Sequence, residues 1–531
     1  MSGPGIRGLR GPLCVLSLAA WLGCAAGARG ECLPLAPRNP DGNYIVPGVL
    51  GDVVYARASG TDLALDAFGP KGDALRPLVV VVHGGGWTSG SRVSFVGQIL
   101  ETLSEGGFAW ISVDYRLGLA SRHRDAVDDV AQALDFARCH AEALHVDPER
   151  LVVLGEDSGA EIAGLLAARR PPGLKAAVLV GGTYDIAETP EPGGARGPAA
   201  PGPVPLLLVH GTDDSDVPLE QAASRCETAR SSGGACDLFR VQGASHRAEN
   251  WWPSQWSYKP HLVDWLSKTV GPPGRYLPVQ TRLRKHVVFD EKASLHLDAW
   301  IPEGPGPFPA VILAHGGGWE AGDRVTYITP LFEPLARAGF AWFSIDYRLT
   351  PQVAHPAQLD DLRSAIAWVR REAPRLNVDP TRIAILGESA SGQMALQVAE
   401  EDRGLAGVVS FYGVYDFLPL VKDASPRSLL ARLFRRTTLD DESRQVMRRY
   451  SPLHHVQAGM PPVLLVHGTN EELWEQGVNM ARALQDKGVP HELVKLDGAP
   501  HGMENWEGRS EWLGYKARVV AWLRALPPRT P

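Results

Sequence analysis

The sequence predicts an α/β protein made of two tandem domains, each a mostly parallel sheet with helices on both faces. Three observations predict it. At 531 residues the chain is longer than one hydrophobic core supports. Short β-rich apolar runs alternate with amphipathic helical stretches, as parallel strands joined by helical crossovers do. The second half also repeats the first in a fixed register.

The leader comes first. Arg7 and Arg10 precede an apolar run from Leu13 to Ala26, and Ala26-Gly27-Ala28 offers a small-x-small cleavage site. Residues 1–28 therefore read as a secretory signal peptide, too short for a membrane span. The expectation is a secreted or periplasmic protein with no stable membrane insertion once the leader is removed; an uncleaved anchor and lipidation at Cys24 are the less favoured alternatives.

After an extension at 29–46, the first copy is expected over 47–270, with apolar strands at Val79–Val82, Leu151–Leu154, Ala176–Val180 and Leu206–Val209. Gly271-Pro272-Pro273-Gly274 opens a linker, 271–278. The second copy follows over 279–527, with a strand at Ala310–Ala314 and a helix at Asp360–Arg371, whose Leu362, Ile366 and Val369 have helical spacing.

The register of the repeat is explicit. His83-Gly84-Gly85-Gly86-Trp87 matches His315-Gly316-Gly317-Gly318-Trp319, and Asp114-Tyr115-Arg116-Leu117 matches Asp346-Tyr347-Arg348-Leu349. Gly155-Glu156 matches Gly387-Glu388, all at an offset of 232. At His210 and His467 the offset has grown to 257, so the second copy carries an insertion. Its helical stretches, Ser428–Arg436 and Ser443–Arg449, are expected to form a cap at about 417–456.

Composition narrows the function. A net charge of −7 without a long basic run argues against nucleic acid as the main partner. Two of the six cysteines belong to the leader. Cys226 and Cys236 close a short loop and are the expected disulfide, while a Cys32–Cys139 pairing stays open. No Cys/His group has zinc spacing, and nothing in the sequence implies a cofactor.

The chemistry concentrates in the second copy. In Ile383–Gln393, an apolar run stops at Gly387 and small residues surround Ser389, the pattern of a serine lifted on a sharp strand-to-helix turn. Ser391 replaces the glycine usual two positions after the serine, and mild crowding is expected there. Glu471, after the strand Val463–Val466, is the candidate orienting acid, with Glu472 the fallback. His501, in a glycine-flanked loop, is the candidate base. The backbone N–H groups of Gly317, Gly318 and Ala390 are candidate oxyanion donors. Serine, acid and histidine in this chain order point to acyl transfer.

The first copy lacks the serine. Asp157 stands at the equivalent position, while Asp214 and His246 survive. Three readings stay open: a degenerate site kept for packing or binding, Ser158 as nucleophile through a one-residue shift, and Asp157 itself as a covalent nucleophile. For the whole chain, an esterase competes with a non-catalytic binding protein, which gains if Ser391 displaces Ser389. Amide or formamide hydrolysis is subordinate.

The segments His315–Trp319, Asp346–Pro351, Pro356–Asp361, Gly387–Gly392 and Ala499–Met503 resemble the α/β-hydrolase family, in its H-G-G-G-W esterase branch. The resemblance covers about 285–526 well and 50–268 more loosely. It is similar to the hormone-sensitive-lipase-like carboxylesterases and, closer still, to the bifunctional feruloyl and acetyl-xylan esterases. It implies a metal-free serine mechanism on small to medium acyl esters, with a small-molecule or carbohydrate ester as partner, and gives Asp346 and Arg348 a bracing role. Arg432, Arg435, Arg436, Arg448 and Arg449 of the insertion could attract acidic sugars or carboxylates, or form a solvated helix face, and Trp319, Trp506 and Trp512 could line a substrate site or be core.

Overall fold

The computed structural model describes residues 32–530 except 41, 70, 71, 73, 119–122, 185–202, 252, 275–281, 423, 426 and 427. The leader at 1–28 and the linker beyond Gly274 lie outside the described residues. Leu33–Pro531 form one compact unit.

The first sheet has nine strands: β1 (Pro37–Asn39), β2 (Leu50–Ala58), β3 (Thr61–Phe68), β4 (Arg76–Val82), β5 (Ala109–Val113), β6 (Val146–Glu156), β7 (Leu174–Val180), β8 (Leu206–Gly211) and β9 (Cys236–Val241). Their spatial order is β1-β2-β3-β5-β4-β6-β7-β8-β9. The second sheet has eight: β10 (Leu283–Asp290), β11 (Leu295–Trp300), β12 (Phe308–Ala314), β13 (Ala341–Ile345), β14 (Val378–Glu388), β15 (Gly407–Phe411), β16 (Val463–Gly468) and β17 (His491–Leu496). The order β10-β11-β13-β12-β14-β15-β16-β17 repeats that of the first sheet from β2 onward.

Residue pattern explains which strands are central. Every residue of β4, an Arg-Pro-Leu run followed by four valines, is buried, as a parallel strand covered on both faces requires. β2 alternates buried and half-exposed positions near the antiparallel edge. In each sheet the chain turns back once: β5 lies on one side of β4 and β6 on the other, and β13 and β14 flank β12 in the same way. A crevice opens at such a switch point beyond the carboxyl ends of the strands. In the second sheet that point lies between Ala314 and Gly387, which are register partners.

The two copies share a core. Trp110, Leu103 and Ile99 from the first belong to one buried cluster with Trp342, Phe332 and Ile328 from the second. The extension is part of this packing: Tyr44 meets Trp300 edge-on at 4.8 Å, and the Ile45 carbonyl accepts a 2.7 Å hydrogen bond from Lys285. The visible start of the linker is held by the buried Arg76, which donates to the Gly274 carbonyl at 3.0 Å.

The insertion forms helices Leu429–Phe434 and Asp441–Arg449, N-capped by Ser428 and Asp440 through bonds to the N–H groups of Ala431 and Ser443. Cys226 and Cys236 form the expected disulfide, and Cys32 and Cys139 are also disulfide cysteines. Among the described residues no helix is long and apolar enough to cross a membrane.

Candidate active site

Ser389 sits where β14 meets the helix Ala390–Glu401, at φ 54° and ψ −112°. This backbone is strained for any residue with a side chain and turns the hydroxyl outward. Gly387 makes the turn possible, since a Cβ there would lie 2.1 Å from the Ser391 carbonyl oxygen. Ser391 does not crowd the turn. Its hydroxyl donates to the Ala314 carbonyl at 2.6 Å and accepts from the Glu388 N–H at 2.8 Å, tying β14 to β12. The turn is kept with Ser391 in place, and Ser389 faces His501.

Three strand ends supply the rest. Ser389 Oγ lies 3.0 Å from His501 Nε2, and His501 Nδ1 lies 2.6 Å from Glu471 Oε2. Glu472 is exposed and takes no part. The other Glu471 oxygen meets His467 Nδ1 at 3.0 Å, and His467 Nε2 meets the Tyr415 hydroxyl at 3.1 Å. Burial opposes the Glu471 charge, but the His467 and His501 hydrogen bonds hold its carboxyl below the ordinary value. Burial depresses His467, so it serves as a neutral donor to the acid. Sequence reasoning passed over this support. The signal was available, because His467-Gly468-Thr469 recurs as His210-Gly211-Thr212.

The turn after β12 carries Gly317 at φ 96° and Gly318 at φ 62°. A Cβ on Gly317 would come within 2.2 Å of the Ala321 carbonyl oxygen. The brace for this turn is Tyr347, which stacks on His315 and donates to the carbonyls of His315 and Gly316 at 2.9 and 3.0 Å. Its neighbours act elsewhere: Arg348 pairs with Asp361, and Asp346 receives Arg324.

The first copy shows what such a turn can bind. Gly85 and Gly86 have φ 112° and 57°, and Asp157 has φ 52° and ψ −120°, close to their second-copy counterparts. Both glycine N–H groups donate at 2.9 Å to one oxygen, Asp157 Oδ2. The carboxylate thereby fills the place that a substrate oxyanion would take. His246 Nε2 lies 3.4 Å from Asp157 Oδ1, and its Nδ1 lies 2.9 Å from Asp214.

Ser158 is no substitute nucleophile. It is buried, 3.3 Å from the Tyr115 hydroxyl, at the start of the helix Ser158–Arg169. The turn keeps the register Gly155-x-Asp157, since a Cβ on Gly155 would meet the Gly159 carbonyl oxygen at 1.9 Å.

The insertion packs on the oxyanion turn: Trp319 lies 5.4 Å from Phe417, and Arg432 pairs with Glu320. Arg435 donates to the carbonyls of Pro351 and Gln352, and Arg436 pairs with Glu442. Trp319 and Trp506 are buried core residues, and Trp512 donates to the Asp497 carbonyl. Among the described residues, Glu101, Glu105 and His286 could close on a metal, but Glu101 already faces Lys285 and Arg324.

The BD-FAE family model matches residues 65–173 and 297–487, together more than half of the chain. The chain belongs to the BD-FAE family. The two matched stretches begin 232 residues apart, so this BD-FAE protein meets its family once in each copy. The probable carboxylic ester hydrolase LipM of Mycobacterium tuberculosis is 31% identical over 36% of this chain and 48% of its own. Esterase LipC from the same organism is 29% identical, over 42% of this chain and 61% of its own. The chain thus spans about half to three fifths of the length of these two relatives. A truncated carbohydrate esterase from gut microbiota is 21% identical, covering 46% of this chain and 95% of its own with a TM-score of 0.41.

Proposed function

We propose that this protein hydrolyses carboxylic esters through an acyl-enzyme on Ser389. The observation that carries the reading is the relay from Ser389 through His501 to Glu471, at 3.0 and 2.6 Å. His501 takes the Oγ proton as the hydroxyl attacks the ester carbonyl, then returns it to the leaving alkoxide. Glu471, fixed by His467, holds the imidazole in the tautomer with its free lone pair on Nε2 and stabilises the imidazolium. The oxyanion forms against the N–H groups of Gly317 and Gly318, with Ala390 as third donor. Water, activated by His501, then releases the acid.

Small to medium acyl esters, including acetyl or feruloyl esters of carbohydrates, are the substrate class we favour. The names of LipM and LipC, both ester hydrolases, support the bond type. Neutral esters are preferred to acidic sugars, because three of the five insertion arginines, Arg432, Arg435 and Arg436, are engaged within the protein. Export through the N-terminal leader is part of the same reading, supported by the Cys226–Cys236 disulfide.

The test is fluorophosphonate labelling with hydrolysis of p-nitrophenyl acetate, butyrate and octanoate, in wild type and Ser389→Ala. Labelling and turnover that vanish together in the variant support the proposal. A folded wild type that neither labels nor turns over overturns it.

A further inference from the structure

We propose that the first copy is a second ester-hydrolysing centre, complete except for its nucleophile and held shut by its own Asp157 carboxylate. The inference rests on the serine mechanism proposed for the second copy.

Three features carry it. The oxyanion turn is formed: Gly85 and Gly86 point both N–H groups at one oxygen, each at 2.9 Å. The relay is formed: His246 bridges Asp214 and Asp157, as His501 bridges Glu471 and Ser389. The elbow is formed, with Asp157 at φ 52° where Ser389 has 54°. Because both glycine N–H groups donate to Asp157 Oδ2, that oxygen takes the place of an oxyanion, and the side chain acts as a tethered anion in the hole.

The same contacts make Asp157 a poor nucleophile in its own right. Oδ2 is taken by two N–H donors and Oδ1 faces His246. Burial works against its charge, yet the bonds from His246, Gly85 and Gly86 hold the carboxyl at about 2. Burial also opposes the imidazolium, and Asp157 with Asp214 still raises His246 to about 9. The site is thus locked in the charge state that an acyl-transfer site reaches only in mid-reaction: anion in the hole, histidine protonated.

In Asp157→Ser the chemistry balances with parts already present. The introduced hydroxyl attacks the ester carbonyl carbon, and its proton passes to His246 Nε2. The carbonyl oxygen becomes the anion bound by Gly85 and Gly86. Collapse breaks the bond to the alkoxide, which leaves with the His246 proton. Water repeats the sequence and frees the carboxylic acid.

The experiment uses the full chain in a Ser389→Ala background, so that any signal comes from the first copy. Asp157→Ser in that background is expected to take fluorophosphonate to near one label per chain, and further replacement of His246 by Ala is expected to abolish it. A folded Asp157→Ser chain that labels no more than Ser389→Ala alone overturns the proposal. If Asp157→Ser does not fold, Asp157→Gly decides the matter. Glycine tolerates the positive φ, and acetate should bind the vacated hole and raise the melting temperature of this variant by more than that of its Ser389→Ala parent, whose first-copy hole is filled. No acetate response overturns the proposal. Wild-type labelling at Ser389 is scored separately, so failure of the second-copy mechanism and failure of the hidden site are read apart.

Discussion

Glu388, the residue before Ser389, accepts a 2.9 Å hydrogen bond from the N–H of Gly316, the first glycine of the oxyanion turn. The bond ties the nucleophile's strand to the turn that carries Gly317 and Gly318. A Cβ on Gly316 would lie 2.6 Å from that carboxyl oxygen, so the fit leaves no slack. Glu388→Gln keeps an acceptor of the same shape and should hold kcat within a few-fold of wild type. Glu388→Ala removes the acceptor and leaves a void. Misplacement of about 1 Å costs on the order of 100-fold in rate, and a fall of roughly 10- to 100-fold in kcat is expected. Equal rates for the two variants would remove Glu388 from the positioning role.

Glu471 uses one oxygen for His501 and the other for His467. Glu471→Gln should keep the shape but favour the wrong imidazole tautomer, with kcat down by about 10⁴ on the precedent of such substitutions. His467→Phe leaves the acid in place but frees it to rotate, so a smaller fall is expected. Steady-state kinetics on p-nitrophenyl acetate distinguish the two. A His467→Phe effect as large as that of Glu471→Gln would assign the histidine a direct part in the chemistry.

Most of the site was legible in the sequence because each part sits beside a strand end marked by glycine: Gly387 before Ser389, Gly468 before Glu471, Gly498 before His501. The repeat offset was legible for the same reason. The role of Ser391 was not, since a serine in a glycine position signals volume and says nothing of its bonds to Ala314 and Glu388. Nor was the occupied hole at Asp157 legible: sequence shows a charge near the turn, and only geometry shows its oxygen accepting from Gly85 and Gly86. The shared core was hidden as well, because Trp110 and Trp342 read as interior residues of separate copies.

Ser391→Gly tests the first of those omissions. Relief of crowding would leave stability unchanged or raise it. The observed bonds at 2.6 and 2.8 Å predict the reverse, since deletion strands the buried Glu388 N–H. With a glycine added to a helix start, the loss should be about 1–3 kcal/mol, read by urea denaturation.

Stability should also depend on pH in a defined direction. Burial, the first cause in each case, raises Glu249 and Glu388 to about 7 and Glu504 well above its ordinary 4.5. The folded state therefore holds these protons after the unfolded chain has released them. Their stabilisation is complete below about 4.5 and is lost as pH rises through 7 and beyond. His246, raised to about 9, loses its contribution in the same direction, from 6.5 upward. Asp157, lowered to about 2, contributes above its ordinary 3.8 and is lost only in strong acid. The melting temperature should peak near mildly acidic pH and fall toward alkaline pH. Glu504→Gln, neutral and of the same shape, should match wild type at pH 5 and exceed it at pH 8. Parallel curves would show that Glu504 is not a source of the slope.

At Gly97 the backbones of the two copies approach closely. A Cβ there would lie 2.4 Å from the Val325 carbonyl oxygen, a backbone atom that cannot swing aside. At the matching place in the other direction, Thr329 reaches the Val93 carbonyl through its hydroxyl at 3.4 Å. The two contacts are related by the repeat: residue 93 faces 329 as 325 faces 97. One side carries a threonine and the other tolerates no side chain, so the packing is only approximately symmetric. Gly97→Ala must push the copies apart along a buried seam that contains Val96, Ile99 and Ile328. Overpacking of this kind costs about 1–3 kcal/mol, and the melting temperature should fall by several degrees. A Gly97→Ala protein as stable as wild type would mean that the copies do not meet closely at Val325.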